Sequence, residues 1–405
     1  MRSVNDRLRI IVAGLAGSFP MAGTALHWIQ YVLGFQALGH DVHYLEDAGE
    51  WFYDPAKVQA VNDISVPLMH LERLMSFFGL SQNWTFIDQQ RKQYGVGGIH
   101  LDEVLRSADL LVHVTGAMSL NYDERYLRIP IRAYVDTDPG FIQARVADGS
   151  AADRLHLDAH TTHFTFGCNI GNPNCGIPST GHVWHPTVQP IFLPIWSEGR
   201  FPRASAPFTT IVKWEAKGHG PMLFHGRILG TKDIEFRKFL RLPLLTGRAF
   251  EIAMAGNPPV ENLEQFGWRR RSGPEISSTI RKYQEYILDS AGEWSMAKHT
   301  YVTLRTGWFS ERSAGYLASG RPVVLQSTGF EDWLPCGEGV LPFQNLAEAV
   351  EAIGLVDSAP GIHRSAAKDI ATSYFDSSKV LSRMVDISFA KHRSTSEQQR
   401  TFSIN

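Results

Sequence analysis

One pattern is written twice in this chain and leaves few folds open. A short β-branched run, Ile10, Ile11 and Val12, ends in Gly14 and Gly17 and gives way to a helical stretch over 23–38. In that stretch Leu26, Ile29 and Leu33 form one apolar stripe and Trp28, Val32 and Phe35 another. A run that short, closed by glycines, reads as a buried strand and its turn, and the two stripes read as a helix covered on most sides. Gly39 stops the helix and 42–46 makes the next strand, completing a strand-helix-strand unit with a right-handed crossover. A helix over 65–80 and strands over 108–114 and 131–135 extend this first sheet. The alternation then restarts: strands are predicted at 208–212, 250–255, 301–305 and 323–326, and helices at 276–289, 310–319, 346–353 and 378–389.

Between the two series lies a stretch from 167 to 207 with little periodicity, and its part from Pro186 to Pro207 carries five prolines. At 405 residues the chain is too long for one ordinary core, and with 43% hydrophobic and 20% charged residues each half can bury its own. The expectation is an α/β protein of two Rossmann-like domains facing across a cleft. Residues 1–195 form the first domain and 196–390 the second, with 391–405 as a frayed polar tail.

The charge balance removes some functions. Thirty-nine basic against 41 acidic residues give a net charge of −2, so no global positive field gathers nucleic acid or an anionic membrane. No apolar run approaches the roughly 20 residues of a membrane span. The run from Leu8 to Gly17 follows Arg2, Arg7 and Arg9 like a signal peptide, but its β-branched centre and glycine ending read as a strand. Three cysteines, Cys168, Cys175 and Cys336, argue against a disulfide scaffold and for a reducing cytoplasm.

The segment from Arg305 to Phe330, RTGWFSERSAGYLASGRPVVLQSTGF, carries the most chemistry. Gly307 turns the chain, Ser310 can cap the following helix, and Glu311, Arg312 and Ser313 occupy its first turn. A helix start offers unpaired N–H donors and a partial positive charge, and Arg312 adds a fork of donors, so a nucleotide diphosphate suits it. A plain cap with a surface-paired arginine explains the same spacing, and both readings stay open here. Lys213 and Trp214, ending the first strand of the second half, are candidates for donor phosphate and base, although most tryptophans are core.

The run GWFSERSAGYLASGRPVVLQSTGF, followed by LPCGEGVLPF and LAEAVEAI, resembles the nucleotide-sugar segment of GT-B glycosyltransferases, in particular bacterial CgeB-type proteins. The opening VAGLAGSFPMAGTALHWIQYVLGFQALGHDVHYLED resembles their acceptor-side strand, loop and helix. The resemblance, over roughly residues 8–355, implies sugar transfer from a nucleotide-diphosphate donor to a hydroxyl-type acceptor, without a metal and without a bound cofactor. It places the donor diphosphate along Gly307, Trp308, Phe309, Ser310, Glu311, Arg312 and Ser313, with Lys298 and Arg305 as further phosphate charges. The sugar or ribose falls near Thr328, Gly329 and Phe330. One position departs: many retaining relatives carry glutamate five residues before the glycine of the Gly-x-Pro-Val turn, where this chain has Gly315, leaving Glu311 as the nearest substitute.

Transfer also needs a proton acceptor or a charge that steadies the sugar as the nucleotide leaves. Asp136 and Asp138, at the mouth of a parallel strand, are the first candidates, though Asp before Pro-Gly is also an ordinary turn. His27, on a mostly apolar helix, and Glu46 with Asp47 are rivals. The loop of Gly14, Gly17 and Ser18 would bring backbone close to acceptor or phosphate, or serve only as a turn.

His163, Cys168, Cys175, His182 and His185 are spaced too loosely for a structural zinc site. Two other readings remain: a dinucleotide oxidoreductase, disfavoured because the turn is Gly14-x-x-Gly17, and a two-domain nucleotide binder without activity.

Overall fold

The structure, a computed structural model, describes residues 7–47, 52–55, 57, 59–95, 101–196, 201–214, 222–255 and 263–402, with side chains to 390. Two open sheets organise it. The first has eight strands in the order Trp184–Pro186, Thr162–Thr165, Ile131–Asp136, Leu110–Val114, Arg9–Ala13, Asp41–Asp47, Trp84–Ile87 and Gln93–Tyr94. All pairs are parallel except the last. The second is parallel throughout, in the order Trp268–Ser272, Phe250–Ala255, Phe208–Lys213, Gly292–Ser295, Val323–Gln326 and Val340–Phe343. This is the expected architecture of two Rossmann-like domains. Parallel sheets carry helices on both faces, which is why their central strands, such as Arg9–Ala13 and Leu110–Val114, are buried almost along their length.

Several elements differ from the sequence reading. The run 301–305 is not a strand: His299–Thr303 is a helical turn, and the strand beside Phe208–Lys213 is Gly292–Ser295. That strand has no β-branched residue, so propensity passes over it. The helix expected at 276–289 is two pieces, Gly273–Ile276 and Ile280–Leu288, because the Thr279 hydroxyl caps a fresh start by accepting from Lys282 N–H. Part of the expected linker belongs to the first sheet, as strand Trp184–Pro186. The expected tail is also structured, since helix Ser377–Phe402 runs through most of 391–405. Among the described residues no helix is long and apolar enough to cross a membrane.

The chain also returns. Helix Ser377–Phe402 packs on helix Ala22–Ala37 of the first half. The latter is buried at nearly every position because helix Ile280–Leu288 covers it as well. Gly34 marks the crossing: a Cβ there would sit 2.5 Å from Leu381 Cδ1 and 2.8 Å from Ser377 Cβ.

Gly34→Val should therefore overpack this crossing and lower unfolding stability by about 1–3 kcal/mol in urea titrations. An unchanged midpoint would mean the two helices do not meet there.

Candidate active site

Open α/β sheets bind ligands beyond the carboxyl ends of their strands, where the strand order reverses. In the second sheet that point lies between Phe208–Lys213 and Gly292–Ser295, and Arg312 occupies it. Its Nε donates to Glu293 Oε1 at 2.5 Å, Nη1 to the Ile211 carbonyl at 2.7 Å and Nη2 to Ser295 Oγ at 2.8 Å. Glu293 is fully buried and Arg312 is 9% exposed. Burial works against the guanidinium's charge, but Glu293 beside it more than offsets this and holds its pKa above the usual value. The expectation that Arg312 offers its whole fork to phosphate is thus corrected: three of its five N–H donors pin the helix to two strands.

The helix itself, Glu311–Ala318, starts as expected. Ser310 caps it, its hydroxyl accepting from Arg312 N–H at 3.2 Å. The start opens on a pocket whose walls are the strand ends Ser295 to Ala297 and Leu325 to Gln326, together with Trp308, Phe309, Ser310, Arg312, Ser313, Thr328 and Phe330. Seven of the residues singled out from sequence therefore share one cavity. Ser313 Oγ is buried there with no hydrogen-bond partner among the described residues. A buried hydroxyl without a partner costs stability, so this one is explained best by a ligand that supplies the missing bond.

Other expected donor residues are turned elsewhere. Gly307 (φ 73°) and Gly329 (φ 87°) adopt left-handed backbone and press on Asn169 of the first half; a Cβ would approach its side chain to 2.7 and 2.6 Å. Asn169 Nδ2 donates to the Gly329 carbonyl at 2.9 Å, so these two glycines serve the contact between the halves rather than phosphate. Arg305 turns to Asp332, at 3.5 Å. Lys298 is ion-paired with Asp138 across the cleft, and Tyr301 donates to the same carboxylate. Lys213 points over Phe19 and Tyr53 of the first half, 5.9 and 6.0 Å from their ring centres. Trp214 is core, edge-on to Phe236.

One cation was not found from sequence. Lys232, the first residue of helix Lys232–Phe236, is coupled to the helix start electrostatically: burial and then the charge of Arg312 push its ammonium down to about 7. Lys298 acts in the same direction, while Glu311 and Glu293 oppose it. No carboxylate within ion-pairing distance of Lys232 is found among the described residues. Burial is the main cause of this shift, and the neighbouring cations add to it.

The first half contributes His27. Its Nε2 is buried without a hydrogen-bond partner among the described residues, and burial holds the imidazole below its usual pKa, against the pull of Glu311 and Asp138. The ring is therefore neutral at pH 7 and electrostatically coupled to the donor-side helix start. Asp136 is a different case. It accepts from Gln143 Nε2 at 2.7 Å, Thr165 Oγ1 at 2.9 Å and Asp138 N–H at 3.2 Å, and burial pushes it up to about 6. It shapes its own turn, and with Asp138 engaged by Lys298 and Tyr301 neither aspartate is a free base.

The loop of Gly14, Gly17 and Ser18 is also corrected as a phosphate cradle. The buried Glu46 carboxylate accepts from Gly17 N–H (2.8 Å), Ser18 N–H (2.7 Å), the Ser18 hydroxyl (2.5 Å) and the Tyr44 hydroxyl (2.9 Å). An anion from the chain's own second strand already fills the place where a dinucleotide would put its pyrophosphate. Gly14 is needed for another reason, since a Cβ would collide with the Trp28 ring at 2.3 Å.

Gly315 has a packing cause. A Cβ there would lie 2.6 Å from the Trp196 ring, and Trp196 is anchored by its Nε1 to Gln30 Oε1 at 2.8 Å. The position that could carry a glutamate is covered by indole.

No family model matches the sequence, and no curated protein matches it. Among solved structures, the chain is similar to an alpha-glucosyltransferase (AGT) in complex with UDP, with a TM-score of 0.56 at 10% identity over 94% of this chain and 99% of that one. It is similar also to HepE from Anabaena in complex with UDP and glucose, with a TM-score of 0.53 at 9% identity over 94% and 99%. A glycosyltransferase from Rickettsia africae gives 0.52 at 9% over 95% and 99%. What is shared at these identities is the fold, two facing α/β domains along nearly the whole of each chain.

Two outcomes follow from the buried charges. Arg312→Met strands Glu293 and should cost about 3–5 kcal/mol in unfolding, whereas pairing it with Glu293→Leu should recover most of that loss; equal losses in single and double variants would deny the coupling. For Asp136 the folded pKa of about 6 lies above the ordinary carboxylate value, so its protonated form favours the fold. That contribution is complete below about pH 4 and lost as pH rises through 6. Relative to Asp136→Asn, the native chain should lose about 3 kcal/mol of stability between pH 4 and 7, and a pH-independent difference between the two would refute this.

Proposed function

We propose that this chain is a glycosyltransferase that moves a sugar from a nucleotide-diphosphate donor to a hydroxyl-type acceptor. The observation that carries the reading is the pocket at the start of helix Glu311–Ala318, lined by a buried Ser313 hydroxyl that has no partner among the described residues, with the Lys232 ammonium electrostatically coupled to Arg312 of the same helix turn. Uridine diphosphate is the favoured nucleotide, because structures of this fold at TM-scores above 0.5 hold UDP.

In the proposed reaction the bond between the anomeric carbon and the β-phosphate oxygen breaks, and the nucleoside diphosphate leaves with the electron pair. Lys232, in its charged form, and the free N–H groups of the helix start take up that charge, in place of a metal. The acceptor oxygen bonds to the anomeric carbon and its proton passes to a base. His27 is that base in this reading: it is neutral, its Nε2 has no partner among the described residues, and it is coupled to Glu311 on the donor side. Its lowered pKa keeps the base form available below pH 6.5.

Calorimetry with uridine, guanosine and thymidine diphosphates tests the donor half. UDP is expected to bind with a Kd unaffected by EDTA and raised roughly tenfold by Lys232→Ala, about the 1.4 kcal/mol expected of one charge-assisted contact. Binding of none of the three would overturn the proposal. His27→Gln should leave UDP affinity unchanged and slow sugar transfer or donor hydrolysis by about 10²–10⁴. UDP binding with no turnover of any UDP-sugar would instead support a non-catalytic nucleotide binder, the reading favoured by Trp196 covering Gly315.

A further inference from the structure

A second cluster lies in the first half, outside every group used above. His113 is near the end of strand Leu110–Val114, while His156 lies in helix Ala151–Asp158 and His160 follows four residues later on the same side of that turn. One ring nitrogen from each of the three falls within 4.8 Å of the other two. Ring centres are 5.2 Å apart for His113 with His160, 5.2 Å for His156 with His160 and 5.7 Å for His113 with His156. The charged groups acting on His156 are Asp153 and Arg145, which are paired with each other at 2.9 Å.

The hydrogen bonds fix which nitrogens are free. His160 Nδ1 donates to the His156 carbonyl at 2.8 Å, so its Nε2 carries a lone pair directed into the cluster, as in a metal-binding histidine oriented by a backbone carbonyl. His113 Nε2 accepts from Met118 N–H at 3.0 Å, and its Nδ1 lies 2.9 Å from His160 Nε2. A neutral His113 with its proton on Nδ1 bridges that gap. A metal replaces this bridge when the proton moves from Nδ1 to Nε2, at the expense of the Met118 bond and with no net proton release. Burial pushes His113 down to about 3, His160 well below its usual value and His156 down as well, so all three rings are uncharged at pH 7.

The turn beside the cluster is strained. Thr115, a β-branched residue, has φ 67°, and Gly116 has φ 69°. A Cβ on Gly116 would stand 3.1 Å from His156 Nε2, so the glycine keeps space beside that nitrogen, and Thr115 Oγ1 is buried with no hydrogen-bond partner among the described residues. The geometry points to a divalent transition-metal site made by His113, His156 and His160, with a fourth position on the Thr115–Gly116 side for a water or an anion. Three imidazoles and no carboxylate suit zinc, cobalt, nickel or copper and not magnesium or calcium. The site is in the half opposite the diphosphate groups and stands independently of the sugar-transfer reading.

Tag-free protein stripped with chelator and titrated with Co2+ tests it. One equivalent is expected to bind with the visible absorption of tetrahedral cobalt, and His156→Gln and His160→Gln, folded by circular dichroism, should each weaken binding about tenfold or more. X-ray absorption of the zinc-loaded native chain should show three imidazole ligands, and this decides the matter if the variants do not fold. Failure of the native chain to bind Co2+ stoichiometrically, wild-type affinity in both variants, or fewer than three imidazoles on zinc would each overturn the site.

Discussion

A guanidinium and a carboxylate buried against each other at the reversal point of the second sheet set the geometry of everything around them. Taking two charges out of water costs several kcal/mol each, and the Arg312–Glu293 contact alone returns little net stability. What it adds is position. Arg312 also grips the Ile211 carbonyl and Ser295 Oγ, so the first turn of helix Glu311–Ala318 is tied to two adjacent strands at once. Glu293 offsets part of the arginine's charge, and the remainder is felt at Lys232. Glu293 Oε2 has no partner among the described residues, a cost this arrangement carries at the edge of the pocket.

Two turns that lead into helices, one in each half, treat their backbone N–H groups in opposite ways: the turn after strand Arg9–Ala13 and the turn before helix Glu311–Ala318. In the first half Glu46 supplies the acceptor from within, through two backbone and two hydroxyl hydrogen bonds. Its carboxyl is pushed up by burial while those bonds pull it down. Among the described residues no carboxylate accepts from the backbone at the start of helix Glu311–Ala318, and Ser313 Oγ has no hydrogen-bond partner. The first turn is thus closed by the chain's own carboxylate, whereas the second keeps a buried hydroxyl without a partner among the described residues.

Legibility followed local chemistry. The strands with β-branched runs, the glycine-closed turns and the Ser310 cap were readable because each is decided by neighbours in sequence. Gly292–Ser295 was not, because its inward residues Glu293 and Ser295 serve Arg312 and disguise a fully buried strand as a polar segment. Arg312 was placed in the correct turn, but spacing cannot say that its side chain folds inward. Lys232 carries no motif and is coupled to the helix start only through tertiary packing. The histidine cluster left a partial trace, His156 in a helix and His160 four residues on, just past its end, while the third member is a strand residue more than forty positions earlier.

The contacts between the halves divide by strength. Across the cleft run the Asp138–Lys298 pair, the hydrogen bond from Trp308 Nε1 to the Thr137 carbonyl at 3.1 Å and those of Asn169. Asp138 is 37% exposed at its side chain, and partly exposed pairs and single hydrogen bonds are worth about 0–1.5 kcal/mol each. Behind the cleft the link is apolar: Leu381 meets Gly34 without a gap, and helix Ser377–Phe402 lies along Ala22–Ala37. Losing packing of that kind costs several kcal/mol at a single large side chain. The two halves are thus held more weakly across the polar front than at the apolar helix crossing behind it.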